Sequence, residues 1–159
     1  VIIVQATGLL GGVAPQMTFV AVFFAGLLNG ESIGIMLNSV VIHPGFSVSM
    51  INGLCAVLQI IAGFMANSLP APLVAINRIS PQMYACRALA LSQFPEEETF
   101  DCDGPSICLT TGAQVLAYLG LSDAGTVGTN LLALAACCVA YRAMSYAVLR
   151  YTVASQCVL

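Results

Sequence analysis

Two groups of residues in this sequence have types and spacing that could do chemistry. The first is Asn29, Glu31 and Ser32, polar groups set inside a long apolar run. A carboxylate in such a run either joins a polar relay with its neighbours or is neutral or paired and ties helices together. The second group is Cys102 and Cys108, close together in a polar, Pro- and Gly-containing stretch beside Glu96, Glu97, Glu98, Asp101 and Asp103. The two cysteines read either as a structural disulfide or as two free thiols. The acidic residues do not follow the spacing of a calcium-binding EF-hand loop and read as a solvated loop. No further Cys or His stands at ligand spacing for a metal. The one histidine, His43, lies in the turn "IHPG" with no Ser or carboxylate beside it, so no catalytic triad is in sight. The phosphate-binding pattern GxxxxGK[ST] is absent, and the chain has no Lys to complete it. Cys137 and Cys138 read as small packing residues inside a helix.

The elements that must hold these residues follow from composition. Hydrophobic residues make up 59% of the 159 positions and charged residues 7%. Ordinary soluble domains carry about 25% charged residues. This chain cannot furnish a charged surface, so an all-α integral membrane protein is expected, with the lipid bilayer as its surroundings. A net charge of −3 and only four Arg exclude a nucleic-acid footprint. A helical span takes roughly 20 mainly apolar residues. Spans are expected at 17–41, 46–66 and 128–149, with "IHPG" as the turn between the first two. Residues 1–13 lack a basic leader and read as the end of a truncated helix, which makes the chain a piece of something longer. Residues 67–127 differ in character: five prolines and an acidic run, with "PLVAINRI" and "MYACRALALSQF" expected as short helices lying at the membrane interface. On the 46–66 span, Asn52, Gln59 and Gly63 fall at i, i+7 and i+11 and share one face. That face meets either a cavity or another helix through hydrogen bonds. A disulfide between Cys102 and Cys108 would place 67–127 in an oxidising compartment.

The ordered series from Gly63-Phe64 and Asn67 through Pro70, Ile79-Ser80-Pro81, Tyr84, Ala90-Leu91 and Gln93-Phe94 to Cys102 resembles the C-terminal half of the membrane domain of ABC transporters of the G subfamily, the white and pleiotropic-drug-resistance group. "ESIGIMLNSVVIHP" at 31–44 is similar to the end of that family's fourth helix. "NLLALAACCVAYRAMSYAVLRY" is similar to its closing helix. The chain departs from the pattern in having Asn77 and Arg78 where an aromatic residue is usual, and no Trp anywhere.

The resemblance implies a fold and a role. It implies a polytopic helical bundle: the end of one helix, two full spans, a long external loop at 67–127 with short helices, and a final span. Asn52 and Gln59 would face a substrate cavity. Gly63, Phe64 and Met65 would form a gate or plug at the outer end of the fifth helix. Cys102 and Cys108 would staple the external loop. His43 would lie in a cytoplasmic turn. The segment itself would hold no cofactor. ATP and magnesium would be bound by an ATPase domain of the same protein, and a second membrane domain would complete a dimer or a two-half transporter. The expected function is export of hydrophobic or amphipathic molecules such as lipids, sterols or xenobiotics, at the plasma membrane. The competing expectation, from a different class, is a small structural or assembly membrane protein without transport activity.

Overall fold

A computed structural model describes residues 12–41, 43–64, 70–95, 99, 109–121 and 123–156. Among these, six α-helices follow one another: α1 (Val13–Val40), α2 (Pro44–Gln59), α3 (Ala71–Ile79), α4 (Pro81–Gln93), α5 (Gly112–Tyr118) and α6 (Val127–Gln156). A π-helical turn, Ile60–Phe64, continues α2. The fold is a helical membrane bundle. Three of its helices are long and apolar enough to cross a membrane, over Val13–Val40, Gly45–Ala62 and Val127–Ala154. Val20, Phe23, Phe24 and Leu27 on α1 and Leu132 and Val139 on α6 are all exposed. An apolar side chain facing outward is unfavourable in water and at no disadvantage in hydrocarbon. Of residues 1–13, read as the end of a truncated helix, 1–11 lie outside the described residues and Val13 opens α1.

Local chemistry explains where the helices begin. Pro44 opens α2, where its missing N–H costs nothing. Thr111 Oγ1 caps α5 by accepting from the Gln114 N–H at 3.4 Å. At α6, Thr126 Oγ1 accepts from the Thr129 N–H at 3.3 Å, and Thr129 Oγ1 accepts from the Thr126 N–H at 3.1 Å. This reciprocal cap satisfies two orphan donors at once. Asn130 adds a clamp by donating to the Ala124 and Thr126 carbonyls at 2.7 and 2.8 Å.

α1 and α6 lie side by side and run parallel: Ala25 and Asn29 meet Cys138, and Glu31 meets Arg142, so the register rises together. α2 packs on α1 and runs back along it, since Val22 of α1 and Gln59 of α2 both lie against the same stretch of α4. The third member of the core is α4, which packs against both α1 and α6. Ala88 of α4 is fully buried against Val22 of α1 and Leu134 of α6, with Ala25, Tyr84, Ala85, Leu89 and Leu131 around them.

This placement corrects the expectation that "MYACRALALSQF" lies flat at the interface. The helix has small residues, Ala85 and Ala88, where α1 and α6 leave room, and close approach favours small side chains inside a membrane bundle. The corner between α3 and α4 reaches midway along α6, where Tyr141 donates its phenolic hydrogen to the Ile79 carbonyl at 3.5 Å. The Ser80-Pro81 pair makes that corner. Ser80, itself buried, accepts from the Gln82 N–H at 3.3 Å as the cap of α4, and Pro81 takes the first helical position. Tyr84 closes the corner by donating to the Arg78 carbonyl at 2.8 Å.

Candidate functional site

Among the described residues, two places bring polar side chains of different helices together. The first is a cleft of about 620 Å³ between α2 and α4. Ala56, Gln59 and Ile60 form one wall, and Gln82, Ala85, Cys86 and Leu89 form the other. Gln82, Cys86 and Leu89 fall at i, i+4 and i+7 on α4 and therefore share one face. The cleft opens where α2 gives way to its π-helical turn, a local widening common at functional positions. Among the described residues its walls are apolar apart from two primary amides and a thiol, with no charged side chain. Each amide can donate and accept. Burial pushes the Cys86 thiol up from its usual pKa, which keeps it protonated and a poor nucleophile at neutral pH. The cleft can hold a neutral molecule by shape and by one or two hydrogen bonds.

The second place is the seam between α1 and α6. Arg142 Nη1 lies 3.2 Å from Glu31 Oε2, near the middle of both spans, with 52% and 54% of the two side chains exposed. One turn away, the buried Asn29 amide donates to the Ala25 carbonyl and to Cys138 Sγ, both at 2.9 Å. Cys138 Sγ also lies 3.6 Å from the Ala25 carbonyl as a weak donor. Asn29 Oδ1 is buried with no partner among the described residues. Ser32 turns inward and donates to the Leu28 carbonyl at 2.8 Å. The relay of Asn29, Glu31 and Ser32 is thus not built as one chain. Asn29 bonds to α6, Ser32 bonds to its own helix, and Glu31 pairs across the seam. Glu31 takes the second of the two roles open to it, a paired carboxylate that ties helices together.

The other residues singled out in the sequence are dispersed. Gln59 lines the α2–α4 cleft, whereas Asn52, two turns earlier on the same face, is exposed outside it. Gly63 and Phe64 end the π-helical turn. Met65, Cys102 and Cys108 lie outside the described residues. His43 precedes α2 in extended conformation, with no side-chain cap bond. Cys138 is more than a filler, because it accepts a hydrogen bond from Asn29. The described residues contain no group of three or more His, Cys, Asp or Glu that could hold a metal.

Three participants escaped sequence reasoning: Arg142, Gln82 and Cys86. Arg142 had a signal, since a lone acidic residue in one span and a lone basic residue in another invite pairing. Gln82 and Cys86 had none while α4 was read as an interfacial helix, because no face of it was expected to meet α2.

No family model matches the chain, and no curated protein is similar enough to it to count as a relative.

Proposed function

We propose that this chain is part of the membrane domain of an ATP-driven exporter of the ABC G-subfamily type, and that it moves neutral hydrophobic or amphipathic molecules. One observation carries this reading: Gln59, which the resemblance assigns to a substrate cavity, lines the α2–α4 cleft opposite Gln82. A cleft with apolar walls and uncharged amides suits a molecule that partitions into lipid and carries a hydroxyl or carbonyl. ATP and magnesium act on a separate ATPase domain of the same protein, and a second membrane domain completes the pathway. The protein resides in the plasma membrane, with 67–127, apart from the inserted α4, on the outer side and Cys102 bonded to Cys108 there. The gate at Gly63, Phe64 and Met65 follows directly on the cleft in sequence.

The test has two arms. The coding sequence upstream of Val1 is expected to continue through further spans into a domain with GxxxxGK[ST]. In that full-length protein, Ala56→Trp fills the cleft and is expected to lower export of a neutral fluorescent lipid several-fold at equal membrane abundance. Absence of an ATPase domain would leave the structural or assembly role in its place. An intact export rate in Ala56→Trp would remove the cleft from the pathway.

A further inference from the structure

The ion pair on the α1–α6 seam is placed where a bilayer gives it no support. Glu31 and Arg142 lie well inside their spans, yet about half of each side chain faces outward. A charged residue at the centre of a membrane helix costs about 2.5 to 3.5 kcal/mol by insertion scales, even with relief from snorkelling. Pairing lowers that cost but leaves the outward half of each group facing hydrocarbon, which offers no hydrogen bonds.

Beside the pair lies a groove of about 560 Å³. Leu28 and Ser32 of α1 and Cys138, Val139, Arg142 and Tyr146 of α6 are among the residues that line it. Its surface is largely apolar, and Arg142 is the charged residue among the described ones that line it. The Ser32 hydroxyl is already committed to its own helix.

We infer that this groove seats another membrane-spanning protein helix, one that carries a Ser, Thr, Asn or Gln side chain at the level of Glu31 and Arg142. Three occupants compete for the place. A lipid chain fits the apolar walls but leaves the charges unsolvated. Water solvates the charges but is poorly held between Leu28, Val139 and Ala143. A helix with one polar side chain satisfies both, because its apolar face covers the walls and its hydroxyl or amide bonds the charges. A neutral polar group is the better match than a third charge, since the pair is already balanced. This inference stands on the ion pair and the groove, independently of any transport role.

The experiment uses the full-length protein in lipid bilayers, with a diazirine-bearing amino acid at Val139, which is 71% exposed on the groove wall. Illumination followed by peptide mapping reads what lies against it. The expected product is a crosslink to an apolar membrane segment with Ser, Thr, Asn or Gln within one turn of the attachment point. The double variant Glu31→Leu/Arg142→Leu, carrying the same probe, is expected to lose at least threefold of that crosslink. Adducts to lipid alone, or insertion of water alone, overturn the inference. So does a crosslink of unchanged yield in the double variant, because the charges would then not select the occupant. Export assays are not involved, so failure here leaves the transporter reading untouched, and the reverse also holds.

Discussion

Glu31 and Arg142 balance each other's charge across the seam. Removing one member leaves the other without its counter-ion, whereas removing both takes the charge away altogether. Glu31→Gln and Arg142→Gln are each expected to destabilise the bundle by up to about 3 kcal/mol, and Glu31→Leu/Arg142→Leu by less than either. Unfolding free energies in bicelles check the order, and a double variant worse than both singles would contradict it. At this scale the sequence was half legible. Glu31 was conspicuous because it is the sole acid in its span. Arg142 sat inside a family-like ending, and its role there hid its pairing. The Asn29–Cys138 bond could not be foreseen, because it depends on the rotation of two helices whose apolar residues are spread over every face.

Among the helices, α4 owes its position to how closely backbones can approach, and the same holds where α5 begins. A Cβ built on Gly112 would stand 1.9 Å from the Pro95 carbonyl oxygen, so backbone crosses backbone there. Gly53, in the middle of α2, has nothing within 4 Å. Alanine at these two positions is expected to act with opposite sign. Gly112→Ala costs about 1 to 3 kcal/mol through overpacking. Gly53→Ala gains about 0.5 to 1 kcal/mol by stiffening the unfolded chain and favouring the helix. Thermal unfolding in one detergent compares them directly, and a stabilised Gly112→Ala would show that the α5 junction is looser than described. The three spans were legible because runs of apolar residues of spanning length have few other uses. The seat of α4 was not, since a short helix with mixed faces reads the same on a surface or wedged between two spans. Ser80, Pro81 and Tyr84 stood out in the sequence only as part of the family-like series, and the bonds from Gln82 and Tyr84 show that they build a corner.

For the molecule as a whole, parallel α1 and α6 with antiparallel α2 fix which ends share a side of the membrane. A cysteine at Val13 or Thr126 is expected to react with an impermeant maleimide from one side, and a cysteine at His43 from the other, in a background freed of native cysteines. Labelling of Thr126→Cys and His43→Cys from the same side would break the arrangement. The wedged position of α4 also imposes an order on how the protein is made. Residues 81–93 leave the ribosome when α1 and α2 already exist. Their remaining neighbour, α6, emerges only after them. Until then Ala88 has no Leu134 to meet, and the corner at Ser80 has no Tyr141 to hold it. Seating α4 therefore waits on a docking event that follows its own synthesis. A nascent chain halted before Val127 would carry α4 packed on α1 and α2 alone, with one side of Ala88 still uncovered.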